Sequence, residues 1–111
     1  ITSSFDPQEK HFGVDIVTAT NTPVKSCLDG VVVFADWSSS KGNVIIIQHV
    51  DNIVSSYMHN SILVKETNDL VKAGEVVGVV GNSGELTSGP HLHFELWQNG
   101  MPIDPEEYID W

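Results

Sequence analysis

The sequence predicts an all-β domain, a compact and mostly antiparallel sheet or sandwich with little helix. Three observations predict it. Apolar runs at 14–18, 31–35, 44–49, 53–58, 76–80 and 91–97 are short and rich in β-branched residues. Clusters of Asn, Asp, Gly, Ser and Pro separate them at intervals of about 8–12 residues, the spacing of sandwiches and barrels. Convincing helical periodicity is scarce.

Val14, Ile16 and Val17 follow Gly13 and disfavour a helix, so the first run reads as a strand. Asn21-Thr-Pro23 ends that stretch, and Asp29-Gly30 leads into the valine-rich run at 31–35. Residues 38–42, Ser-Ser-Ser-Lys-Gly, form the next turn, and 44–49 is apolar enough for a central strand. Asp51-Asn52 turns the chain into 53–58. Residues 61–68 are expected to hold an irregular or helical turn. Gly81-Asn-Ser-Gly84 follows the run at 76–80 and carries the chain towards 91–97. Asn99-Gly100, between Leu96-Trp97 and Met101, is a type I′ hairpin signal. Asp104-Pro105-Glu106-Glu107 pairs an N-cap residue with Pro at the first helical position, so a helical turn is expected at 105–108.

With 111 residues the chain is expected to be a single domain over 1–111. It opens without Met and without a signal peptide, as expected of a domain excised from a longer protein. No apolar stretch approaches the ~18 residues of a spanning helix, so no membrane insertion is expected. The formal charge of −10, with five Lys and no Arg, argues against nucleic acid or an anionic membrane as partner, since both demand a basic footprint. The single cysteine, Cys27, excludes an internal disulfide and is expected to be a small buried hydrophobe. Lys25 is its only electropositive neighbour in sequence, and no Cys or His stands close enough to complete a zinc-binding pair.

Five histidines carry the chemistry, at 11, 49, 59, 91 and 93. His91 and His93 lie two apart in a strand-like run, so both imidazoles belong to one face while Leu92, Phe94 and Leu96 supply the core. His11 and Asp15 lie four apart in an extended segment and again share a face. The two pairs together supply the two-histidine, one-carboxylate set that catalytic zinc sites use with an open fourth position. Spacing does not decide between His91 and His93 as ligand, nor whether Glu95 is a general base. His49 reads as a structural histidine. His59, alone at a strand end, also reads that way on its own, and spacing cannot separate the two. Gly78-Val-Val-Gly81-Asn-Ser-Gly84 lacks the Lys-Ser/Thr of a phosphate loop. Ser83 and Ser88 form no nucleophile elbow.

His11-Phe-Gly-Val-Asp15, Tyr57-Met-His59 and Gly89-Pro-His91-Leu-His93-Phe-Glu95 together resemble the signatures of the lysostaphin-type (LytM-like, M23) zinc metallopeptidases. The resemblance runs through essentially the whole chain in order. It implies Zn²⁺ held by His11, Asp15 and His93, with His59 and His91 as the catalytic pair. His91 would take a proton from the attacking water, and His59 would stabilise charge on the scissile carbonyl oxygen. It implies a peptidoglycan peptide as substrate, an extracytoplasmic location, and an open groove walled by loops at 4–11, 37–42, 61–71 and 81–89. Stem-peptide cross-links are expected as targets ahead of glycine bridges, since the acidic surface suits a polyanionic wall poorly. The chain departs from the pattern in a short segment between Phe5 and His11, in having no Arg, and in Asn60 where Leu is common. Two rivals exist. A non-catalytic relative that activates another wall hydrolase would be expected to lack ligands that are all present here. A biotinyl- or lipoyl-type carrier would need a modifiable lysine in a context that Lys41 and Lys72 do not offer.

Overall fold

A computed structural model describes residues 13–17, 22–81 and 91–105, with side chains at all of these except 14–17 and 91. Nine strands occupy the described residues: β1 (Val14–Val17), β2 (Pro23–Lys25), β3 (Gly30–Ser38), β4 (Gly42–Gln48), β5 (Ile53–Leu63), β6 (Leu70–Val71), β7 (Val76–Val80), β8 (His91–Gln98) and β9 (Met101–Ile103). All pair antiparallel in one sheet of order β1-β8-β5-β4-β3-β6, with β7 bridging β5 to β2 and β9 flanking β8. This is the all-β, antiparallel architecture that the short runs and turn clusters predict.

The core lies on one face of the sheet. Val32, Ile45, Ile47, Tyr57, Phe94 and Leu96 are buried there, and Val24, Val77 and Val80 of β2 and β7 pack against them. Tyr57 and Phe94 stack at a centroid distance of 5.1 Å and a tilt of 42°. Each such side chain contributes roughly 1.5–3 kcal/mol of transfer free energy, so the alternation of β8 fixes which face turns inward.

The turns follow their residues. Asp51 and Asn52 have φ of 59° and 58°, and Asn99 and Gly100 have 53° and 78°, so both hairpins use the left-handed pairs that match strand twist. Two expectations need correction. At 61–68 the irregular alternative holds over only part of the range: residues 61–63 continue β5, and 64–69 form bends and turns without a helical turn. Asn21-Thr-Pro23, which reads as punctuation, runs into strand β2 at Pro23, and the backbone of β2 pairs with β7. Pro105 has a 3-10 helical backbone, and the rest of the turn expected at 105–108 lies outside the described residues, as do 4–11 and 82–89 of the groove walls.

The long strand β5 changes partner part-way along. It pairs with β8 as far as Met58 and with β7 from Asn60 onward. Between them the register with β4 shifts, from Ile45↔Tyr57 to Asn43↔Asn60, which inserts an extra residue in β5. His59 stands in this bulge with φ of 67°, a left-handed conformation that costs a non-glycine residue energy. Asn60 is fully buried beside it and donates its amide to the carbonyls of Asn43 and Tyr57, both at 3.0 Å. A leucine there could serve neither carbonyl, so the departure at Asn60 is a stitch across the bulge. Asn60→Leu is expected to destabilise the fold by about 1–3 kcal/mol, the cost of abandoning buried acceptors, read as a lower urea midpoint with an unchanged slope.

Candidate functional site

β8 is paired on both sides, and its register gathers the site. Asp15 of β1 stands directly opposite His93, and Val17 opposite His91. On the other edge Met58 stands opposite His93. Directly opposed residues in an antiparallel ladder occupy the same face, with Cβ atoms about 4.5–5.5 Å apart. The register thus places the Asp15 and His93 positions together, as the reading of both as ligands requires. Phe94 and Leu96 are buried on the other face and Leu92 packs against the core there, which leaves His93, Glu95 and Trp97 facing away from it.

Gly13 makes this pairing possible. A Cβ on Gly13 would lie 2.4 Å from the Phe94 carbonyl oxygen, 2.7 Å from Glu95 Cγ and 3.0 Å from His93 Nε2. Only glycine lets the chain entering β1 sit that close to β8. The glycine inside His11-Phe-Gly-Val-Asp15 is therefore a packing requirement that spacing arguments alone do not reveal.

His59 comes to the same site by the bulge. Its imidazole is buried at 7% exposure, with its centroid 6.5 Å from that of His93 and the rings edge-on at 72°. Its backbone is pinned on both sides, donating to the Lys41 carbonyl at 2.8 Å and accepting from Gly81 N at 3.3 Å. A bulge at the fork of two ladders re-aims a side chain in this way.

His49 goes elsewhere. Its Nδ1 donates to the Asp29 carbonyl at 2.8 Å, which leaves Nε2 to accept from Ser55 Oγ at 2.7 Å. It is 5% exposed and shares Ser55 with the core face, the satisfied structural histidine that the sequence suggests. Cys27 lies beside it, with Sγ 3.8 Å from His49 Nε2 and its backbone N–H donating to the Tyr57 hydroxyl at 3.0 Å. Burial raises the Cys27 thiol, but hydrogen bonds with His49 and Tyr57 outweigh it and draw the pKa below its usual value. The neighbour missing from the local sequence, His49, is therefore brought to Cys27 across the fold.

Glu95 was a possible general base on spacing. Its Oε2 accepts from His93 Nε2 at 2.9 Å and its Oε1 accepts from Trp97 Nε1 at 2.9 Å, so both oxygens are engaged. Burial opposes its charge, yet the hydrogen bonds from His93 and Trp97 hold the carboxyl below its ordinary range. Trp97 had no expected role.

An open apolar trough of about 570 Å³ continues from Met58 and Glu95 along this face. Its floor crosses the sheet through the register partners Glu95, Ser56, Ile46 and Phe34, with Trp97 and Val54 one row beyond. Lys41 stands at its edge.

Of the five expected site residues, His59 and His93 have described side chains, Asp15 and His91 are placed by backbone register, and His11 lies outside the described residues. Among the described residues no three metal-ligating side chains cluster. The donor types present, an imidazole hydrogen-bonded to a carboxylate and an aspartate position opposite it in the ladder, are ones that zinc accepts.

Residues 9–105 match the model of peptidase family M23. The chain is 38% identical over 95 residues to the DD-carboxypeptidase/endopeptidase Mpg of Neisseria meningitidis serogroup B, covering 86% of this chain and 22% of that protein. It is 35% identical over 98 residues to the murein hydrolase activator NlpD of Salmonella dublin, covering 87% and 26%. Among solved structures, a zinc-containing peptidase from Vibrio cholerae superposes with a TM-score of 0.88 at 33% identity, covering 93% of this chain and 34% of that one. The catalytic domain of lysostaphin from Staphylococcus simulans superposes with a TM-score of 0.81 at 36% identity, covering 88% and 77%. The chain thus spans about a quarter of the length of these curated relatives.

Gly13→Ala is expected to push β1 off β8 and to cost about 1–3 kcal/mol, as overpacking does. Thermal unfolding checks this, with a fall in Tm of several degrees expected.

Proposed function

The chain belongs to peptidase family M23, and on that premise we propose that it is a zinc endopeptidase cutting peptide bonds in bacterial peptidoglycan outside the cytoplasm. The single observation that carries this reading is the register of Asp15 opposite His93, with His59 bulged towards the same imidazole. The names of the relatives support the substrate class, since Mpg is a DD-carboxypeptidase/endopeptidase.

In this reading His11, Asp15 and His93 hold the metal. Zinc, when bound, would polarise a carbonyl as a Lewis acid and lower the pKa of water towards neutrality. His91 accepts the proton of the attacking water, a task suited to an imidazole with an ordinary pKa of about 6.5. His59, held rigid by backbone bonds on both sides of the bulge, donates to the developing oxyanion. Glu95 is no base here, because both of its oxygens are already hydrogen-bonded.

We favour alanine-bearing stem-peptide cross-links over glycine bridges, and the trough supports this. Its apolar floor rewards a buried methyl by about 0.8 kcal/mol, whereas a glycine offers it none. Lys41 at its edge suits a substrate carboxylate.

A second reading has its own support. NlpD is a murein hydrolase activator, so a member of this family can be named for something other than cleavage. The presence of His11, Asp15, His59, His91 and His93 in one chain favours the enzyme.

Two variants separate the roles. Asp15→Ala is expected to lose zinc and activity together, measured by metal content and peptide release. His91→Ala is expected to abolish turnover while zinc stays bound; an emptied site would reverse the assignment of ligand and base. Digestion of purified peptidoglycan with and without chelator, followed by mass spectrometry, tests the reading as a whole. Chelator-sensitive release of stem peptides is expected. Release of oligoglycine alone would overturn the substrate preference, and no release would favour the activator reading.

A further inference from the structure

We propose that Ser56 is a specificity residue, its hydroxyl hydrogen-bonding a stem peptide laid across the trough while Lys41 binds a free carboxylate of the same peptide. The inference rests on the reading of the trough as the substrate site. It deepens that reading by naming the polar contacts and the length of peptide they take.

An orphaned hydroxyl carries the argument. Ser55 and Ser56 are chain neighbours on opposite faces of β5. Ser55 is wholly buried on the core face, where its Oγ donates to His49 Nε2 at 2.7 Å. Ser56 lines the trough and is only 5% exposed, yet its Oγ has no hydrogen-bond partner among the described residues. Its neighbours across the ladders do not relieve it. Ile46 has no polar side-chain atom, and Glu95 turns its oxygens to His93 and Trp97. A buried hydroxyl left unpaired costs stability, and an alanine would avoid that cost. In the floor of a groove, such an atom is satisfied by what lies in the groove.

The dimensions and charge say what lies there. Phe34, Ile46, Ser56 and Glu95 form one row across four adjacent strands. Strands lie about 4.8 Å apart, so the row spans about 14 Å. That is the length of about four extended residues, the size of a stem peptide. Lys41 is exposed at the edge of the row and is the only cation among the described residues lining the trough. Its carbonyl accepts from His59 N at 2.8 Å, which ties the position of this cation to the imidazole read above as the oxyanion donor. A carboxylate close to the scissile bond would meet it. A glycine bridge, with no charge of its own, would leave it unused.

The test uses soluble cross-linked stem-peptide dimers with their carboxylates free or amidated. Cleavage by the wild-type chain and by Ser56→Ala gives KM and kcat. Titration calorimetry of the uncleaved dimer on His91→Ala, with and without Ser56→Ala, gives Kd directly. Loss of one hydrogen bond is expected to raise KM and Kd about 3- to 10-fold, with the effect falling on KM rather than kcat. In the free protein the same substitution removes an unpaired polar atom, so Tm is expected to rise. Lys41→Gln is expected to weaken binding of the dimer with free carboxylates and to leave the amidated one unchanged. Unchanged KM and Kd in Ser56→Ala, or a fall in Tm, would overturn the inference while leaving the proposed activity intact. Equal effects of Lys41→Gln on both dimers would overturn the carboxylate contact alone. A wild-type chain that cuts neither dimer with zinc supplied would overturn the endopeptidase reading, and the calorimetric comparison would still decide the Ser56 contact.

Discussion

Everything at the site depends on β8 being paired along both edges. β1 on one side and β5 on the other fix the height and tilt of each residue, and alternation sends Phe94 and Leu96 into the core while His93, Glu95 and Trp97 turn out. A slip of one residue would exchange the two sets. It would bury an imidazole and a carboxylate in an apolar core and expose Phe94, which is 1% exposed. The energy that specifies the register is therefore hydrophobic, and the chemical face inherits its precision from the core face.

The second constraint is the fork in β5. One strand serves two ladders only by changing direction between Met58 and Asn60, and the residue at the change is His59. Its left-handed backbone is a local strain that Asn60, the Lys41 carbonyl and Gly81 N–H all help to hold. Strain kept in place by surrounding bonds buys a rigid imidazole beside His93.

Much of this was legible in the sequence, and the reasons are specific. The β architecture follows from short β-branched runs between turn residues, and Asn99-Gly100 declares its own turn type. His91-Leu-His93 declares a face because period two leaves no other choice. Three features were not legible. The bulge at His59 depends on β5 changing partner, which no local pattern encodes. Strand β2 hid behind Pro23, an edge-tolerated residue that resembles punctuation. The proximity of His49 to Cys27 crosses 22 residues of sequence and arises from tertiary packing alone. Glu95 was visible as chemistry, but its closeness to Gly13 arises only once β1 and β8 pair.

The most direct measurement is X-ray absorption at the zinc edge, together with metal content, on the zinc-loaded protein. The account predicts one zinc per chain, with two imidazole nitrogens at about 2.0–2.1 Å and one carboxylate oxygen at about 2.0–2.2 Å, because β1 and β8 bring one aspartate position against one histidine. A site of three imidazoles, with His91 and His93 both bound, would contradict it, as would a folded protein that takes up no zinc.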